Sequence, residues 1–132
     1  MKFQPDQMDG VNVISRLEAG RLWVHQAPYT TSVLVPWQGD VQAWPVERVS
    51  ALQASHFAQL LPMQPELVIF GSGERQQFIS PTLYRALIER RIGIDTMDTA
   101  AACRTYNVLV NEGRKVVAAL LLNPSSALAP HK

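Results

Sequence analysis

The sequence predicts an α/β domain of three layers, and two observations carry that prediction. From residue 66 to residue 122, short apolar runs alternate with helix-spaced stretches in the order strand, helix, strand, helix, strand. Before residue 50 the chain shows alternating and β-branched segments separated by close turn signals. A βαβαβ run makes a largely parallel sheet buried on both faces. The N-terminal segments add an antiparallel β layer.

Taken in order, Val11-Asn-Val-Ile-Ser-Arg-Leu17 alternates and Glu18-Ala-Gly20 reads as a turn. Arg21–His25 follows, with Leu22 and Val24 on one face and Trp23 on the other. Tyr29–Val35 is rich in β-branched residues and stops at Pro36. Gly39-Asp40 punctuates before Val41–Val46. Val49, Leu52, Phe57, Leu60 and Leu61 recur at near-helical spacing, which predicts a helix over 50–61 bounded by Pro62 and Pro65.

Glu66–Phe70 is a short, continuously apolar strand. Ser80-Pro81 is an N-cap with proline at the first helical position, and Leu83, Leu87 and Arg91 line one side of the helix it opens. Glu89-Arg90-Arg91 reads as that helix's end. Ile92–Met97 is the next strand. Asp98 or Thr99 caps a helix whose apolar stripe is Ala102, Cys103, Tyr106, Leu109 and Val110, and Gly113 supplies a left-handed stop. Lys115–Leu122 is the last strand. Right-handed crossovers put both helices on one side of the sheet if the strand order keeps running one way. The hairpins and the 50–61 helix then cover the other face or extend an edge. The expected organisation is an N-terminal segment 1–10, one domain over 11–122 and a frayed tail over 123–132.

Composition narrows the function classes. The formal net charge is +1, with 12 Lys+Arg against 11 Asp+Glu and no basic run, which argues against nucleic acid and anionic membranes as partners. One cysteine excludes an intramolecular disulfide and a cysteine-only zinc site. The start, Met1–Asp6, has no apolar core of signal-peptide length, and the longest apolar run, Val116–Leu122, is strand-sized. The expectation is a soluble, cytoplasmic protein without membrane insertion, cofactor or metal.

A site in such a sheet lies beyond the carboxyl ends of the strands. Two segments converge there: the loop holding Gly71, Ser72, Gly73 and Arg75, and the start of the second helix at Asp98 and Thr99. Two helix N-termini and the charges of Arg75 and Arg104 suit a small anion. The glycines lack the spacing of a dinucleotide fingerprint or a P-loop, and a turn that lets the chain leave a strand accounts for them better than a ligand does. Cys103 sits on an apolar stripe, so a core thiol accounts for it better than a nucleophile. Asp98 fits a helix cap better than a general base. Asp95 is placed to pair with Arg104 or Arg114 across layers. Tyr106 and Asn107 break local rules, so they either form a buried polar network or line the cleft. Trp23, Trp37 and Trp44 are core candidates, an exposed subset of which would make a partner patch.

Phe70-Gly-Ser-Gly73, Gly93-Ile-Asp-Thr-Met-Asp-Thr99, Ala102-Cys-Arg-Thr-Tyr-Asn-Val-Leu109, Glu112-Gly-Arg114 and Ala118-Ala119 together resemble one family. It is the small domain-of-unknown-function family whose eukaryotic relatives include the mitochondrial respiratory complex I assembly factor 3 and an adipogenesis-associated protein. The resemblance runs over residues 8 to 122 and is strongest in the C-terminal motif. A Thr is common where this chain has Ser72. The resemblance implies a central mixed sheet with one strand antiparallel to the rest, plus extra β structure. It implies no established reaction, so no catalytic residue is carried over. Two functions follow as expectations: a non-catalytic binding or assembly domain with a protein partner, or a small-anion binder or enzyme using the cleft between 71–75 and 98–107.

Overall fold

A computed structural model of the chain describes residues 10–122. The N-terminal segment before Gly10 and the tail 123–132 named above lie outside the described residues. Five strands form the central sheet in the order β5-β4-β8-β6-β7: β4 (Val33–Pro36), β5 (Gln42–Ala43), β6 (Leu67–Gly71), β7 (Gly93–Met97) and β8 (Val116–Leu120). A separate antiparallel sheet holds β1 (Ile14–Glu18), β2 (Arg21–Val24) and β3 (Ala27–Tyr29) in sequence order. The helices are α1 (Ala54–Ala58), α2 (Arg85–Glu89) and α3 (Thr99–Asn111).

The central sheet is mixed. β6 pairs in parallel with both β7 and β8, while β4 runs antiparallel to β8 and to β5. One strand, β4, therefore opposes the other four, as the family resemblance implies. Because β6 lies between its two successors, the strand order doubles back. The condition for both crossover helices to share a face is not met. Adjacent residues of β6 show the result: Ile69 packs with Ala102, Cys103 and Tyr106 of α3, and Val68 and Phe70 pack with Phe57 of α1 and Leu87 of α2. The small sheet lies on the α3 side, contributing Ile14, Leu22 and Val24 to that cluster. Three layers result: the small sheet with α3, the central sheet, and the short helices.

Several expected elements are shorter than the sequence suggests. Tyr29–Val35 is not one strand; Tyr29 ends β3 and Val33 begins β4 in the other sheet. The break is held at buried Ser32, whose hydroxyl accepts the N–H of Leu122 at 2.8 Å and stands 3.1 Å from its carbonyl. The second hairpin strand, expected over Val41–Val46, shrinks to β5 because Pro45 has no N–H to donate. The 50–61 helix survives only as α1 with 3-10 turns at Val49–Ala51 and Leu61–Met63, ended by Gln64 in the left-handed region at φ 53°. Ser80 caps as expected, accepting the N–H of Thr82. The helix it opens begins as a 3-10 turn, Pro81–Tyr84, before α2.

Helix α3 follows the sequence closely. Asp98 is the N-cap, and its Oδ1 accepts the Ala101 N–H at 2.8 Å. Gly113 ends the helix at φ 86°, where a side chain would be strained. Trp44 is buried, Trp37 packs partly against both clusters, and Trp23 is half-buried between Arg16 and Arg21, whose guanidiniums lie 4.8 and 5.7 Å from its ring.

Candidate functional site

The carboxyl end of β6 meets the start of α3 at backbone distance. A side chain at Gly71 would place its Cβ 2.9 Å from the Thr99 Cα and Oγ1 and 3.1 Å from the Ala102 Cβ. Gly71 is therefore glycine because the helix presses on it. Two residues on, Gly73 and Thr99 are locked together: Thr99 N–H donates to the Gly73 carbonyl at 2.8 Å, and Gly73 N–H donates to Thr99 Oγ1 at 2.9 Å. The same hydroxyl donates to the Leu121 carbonyl at 3.0 Å, which ties the helix start to the end of β8.

Ser72 is also consumed by the fold. Its buried hydroxyl donates to the Arg75 carbonyl at 2.8 Å and accepts the Gln77 N–H at 3.1 Å, holding the 72–77 loop closed on itself. Arg75 and Arg104 project from the surface.

Tyr106 and Asn107 resolve the choice left open by the sequence. Tyr106 is fully buried, and its hydroxyl lies 2.9 Å from the Asn12 carbonyl and 3.0 Å from that of Pro36. Burial raises its phenol pKa, so it stays protonated as a donor. Tyr106 thus faces Asn12 and Pro36 inside the domain and not a cleft, which corrects its placement among the cleft residues. Asn107 bonds both backbone groups of one residue: its amide nitrogen donates to the Ile14 carbonyl at 2.7 Å, and its Oδ1 accepts the Ile14 N–H at 2.9 Å. Asn107 latches the small sheet onto α3, and Tyr106 ties α3 to Asn12 just before β1 and to Pro36 of the central sheet.

The remaining candidates separate cleanly. Cys103 is 5% exposed, and burial pushes its thiol up to about 12 against the opposing charge of Arg104. It is a core thiol. Arg114 pairs with Glu66 at 3.0 Å, in place of the Asp95 pairing that the sequence suggested. Glu66 also accepts the Lys115 N–H at 2.8 Å. That bond first, and the Arg114 guanidinium second, lower its pKa from the ordinary 4.5.

Open space lies beside this joint. A cavity of about 340 Å³ is bounded by the Glu18–Gly20 turn, Gly73-Glu74, Thr99-Ala100 and Leu121-Leu122. A second, of about 240 Å³, lies along Ile14–Leu17 and α3 at Ala100, Cys103, Arg104 and Asn107. The structure therefore brings Gly73 and Thr99 to one cavity and Arg104 and Asn107 to its neighbour, while Gly71, Ser72 and Tyr106 are packed away. Neither Pro81 nor α2 lines either cavity, so α3 alone presents a helix start there. Sequence reasoning missed Leu17, Glu18, Glu74 and Ala100. Glu18 had a signal as part of a turn, but nothing local places that turn against α3. Glu18 and Glu74 line the larger cavity; the Glu18 carboxylate is paired with Arg16, while that of Glu74 opposes a small anion there. Among the described residues no cluster of His, Cys, Asp and Glu is arranged to hold a metal, and no helix is long and apolar enough to cross a membrane.

These features define a three-layer α/β domain whose signature polar residues hold one layer to another. The chain belongs to the family described as "Protein of unknown function (DUF498/DUF598)", which it matches over residues 14–121. It is 34% identical over 87 residues, 64% of this chain and 47% of the relative, to the NADH dehydrogenase [ubiquinone] 1 alpha subcomplex assembly factor 3 of Bos taurus. It is 31% identical over 71 residues, 54% of this chain and 58% of the relative, to the 13 kDa major membrane protein of Francisella tularensis. The chain thus spans about half the length of these curated relatives. The crystal structure of a Bordetella parapertussis protein superposes with a TM-score of 0.82 at 35% identity, covering 89% of this chain and all of the other. The solution structure of a Bordetella pertussis protein described as a Mth938-like domain gives 0.81 at 28%, covering all of both chains. The family includes complex I assembly factors.

Proposed function

We propose that this chain is a non-catalytic protein-binding domain that serves assembly of a respiratory complex of the complex I type. The observation that carries the reading is its likeness to the bovine assembly factor. The geometry is consistent with it: Asp98, Thr99, Tyr106 and Asn107, four polar residues of the family-like segment, each bond backbone groups within the fold. A polar set committed to architecture suits a domain that presents a fixed surface. The small-anion reading is weaker, because the Glu74 carboxylate lines the larger cavity.

The test is crosslinking followed by affinity purification at native expression, paired with native-gel measurement of respiratory complex I in a deletion strain. The expected result is a stable protein partner and a deficit of mature complex with accumulated subassemblies. An unchanged complex and no recurrent partner would overturn the proposal. We place the protein in the cytoplasm within this reading. Cell fractionation tests that placement, and the membrane name of the Francisella relative makes the measurement worth doing.

A further inference from the structure

The two cavities beside α3 are halves of one groove, because Leu17 and Ala100 line both. One wall is the outer edge of β1, which pairs only with β2 among the described strands. The other wall is the first half of α3.

Strand geometry fixes what that edge offers. Glu18 and Arg21 flank the two-residue turn Ala19-Gly20, so they form the hydrogen-bonded pair that closes the hairpin. Leu17 and Leu22 are the next pair, which exchanges no backbone bonds, so the Leu17 N–H and C=O point away from β2. The same alternation, carried across the irregularity between Ile14 and Arg16, turns the Ile14 groups outward too. There Asn107 takes both with its side-chain amide. Asn107 thus stands where a neighbouring strand would be at Ile14. At Leu17 no described residue takes that place.

Charge is ordered along the groove. Arg16 and Glu18 pair with each other, so the charges left to the groove are Arg104 toward the Asn107 end and Glu74 toward the hairpin turn, with Leu17 and Ala100 between them. Unpaired strand groups call for an extended backbone, the apolar middle for an apolar side chain, and the two ends for opposite charges. We propose that this groove binds an extended peptide segment of a protein partner by antiparallel strand addition at Leu17. The segment places a Lys or Arg against Glu74, an apolar side chain in the 340 Å³ cavity, and an Asp or Glu against Arg104. The β1 edge of a second copy fits poorly, because it is recessed beside that copy's own α3. The proposal rests on the binding-domain reading and names the kind of segment recognised.

The test uses a displayed library of random dodecapeptides panned against the full chain, with binding of the recovered peptides measured by fluorescence anisotropy. Recovered peptides are expected to share a basic, apolar, acidic order from N to C terminus. Bound peptide should give the Leu17 amide new protection from hydrogen exchange. Ala100→Trp, which fills the groove from an exposed position, should weaken binding by about ten-fold or more. Val108→Trp, also exposed on α3 but away from the groove, should leave it unchanged. Replacing Glu74 by Lys should weaken binding by about three-fold, less at high salt. Recovery of no peptide, or binding indifferent to Ala100→Trp and without Leu17 protection, overturns the groove. A native partner whose crosslinks map away from β1 also overturns it while leaving the binding-domain reading intact. Peptide binding with no partner in the cell would instead overturn that reading.

Discussion

On one face of the central sheet Trp44, Phe57, Phe70 and Tyr84 meet edge to face, with ring centroids 5.7 to 6.0 Å apart. On the other face α3 reaches its neighbours through Tyr106, Asn107 and Thr99, each bonded to backbone groups distant in sequence. The first face gains its stability from buried area, which is large and tolerant of direction. The second gains position. Its hydrogen bonds contribute modestly to stability, yet they determine where the small sheet sits against α3 and so how wide the groove is. Stability and placement are divided between the two sides of one sheet.

The largest test of that division is Phe57→Ala on the aromatic face. Phe57 is fully buried and touches three rings, so its truncation should cost about 3–5 kcal/mol in urea unfolding. A loss below about 1 kcal/mol would break the comparison. Gly71→Ala comes next, because the added Cβ meets the Thr99 backbone at 2.9 Å and neither β6 nor α3 can yield cheaply. The expected cost is about 1–3 kcal/mol, with shifted Gly73 and Thr99 amide signals as the sign that the joint has moved. Unshifted signals would mean the helix start is softer than its bonds suggest.

Smaller effects on stability, and larger ones on geometry, are expected from the latch. Tyr106→Phe keeps the ring and strands the buried Asn12 carbonyl, while the Pro36 carbonyl keeps its bond from Asn12 Nδ2 at 2.8 Å. The expected loss is about 1 kcal/mol. Asn107→Leu removes both bonds to Ile14 at a similar cost, and should make the β1 amides exchange faster than those of β6. If both exchange alike, the latch does not set the position of the small sheet.

The sequence exposed the first of these faces less clearly than the second, and the reason is range. Helix α3 was readable because its determinants are local: Asp98 three residues before the amide it caps, Gly113 at a positive φ, and a stripe of buried residues between. The oddness of Tyr106 and Asn107 was readable too. Their partners were not, because Asn12 and Ile14 lie 94 and 93 residues away. The split of Tyr29–Val35 was hidden for the same reason, since β-branched residues favour a strand throughout and the break is held by Leu122, 90 residues on. The doubling back of the strand order belongs to pairing alone. At the site, Gly71 read as a turn with a ligand as the alternative, because a glycine required by a neighbouring helix, by a turn or by a ligand is the same residue in a sequence.

Cys103 tests burial on the α3 face by pH. Its ordinary value is 9.0 and the folded thiol is pushed up to about 12, chiefly by burial. The unfolded chain therefore releases a proton that the native state keeps, so the stability this group contributes is complete below pH 9 and is lost as pH rises toward 12. Urea midpoints should fall from pH 8 to pH 10 in the native sequence and fall less in Cys103→Ala. Equal slopes would mean the thiol is solvated in the folded state, and the packing of α3 on β6 looser than its burial indicates.

The smallest effect belongs to neither face. Glu66 precedes β6 at its entry, exposed at the surface, where it accepts the Lys115 N–H and pairs with Arg114. Both partners lower its pKa, the backbone donor most, so the stability it contributes is present above pH 4.5 and is lost as pH falls through the lower folded value. Solvent screening keeps that contribution small at neutral pH. Glu66→Gln still offers an oxygen to Lys115, so it should leave the neutral urea midpoint almost unchanged and flatten only the acid limb. A marked loss at neutral pH would instead mean that the ends of β6 and β8 are pinned by this pair, and that position in this fold is set at the strand ends as much as by the latch on α3.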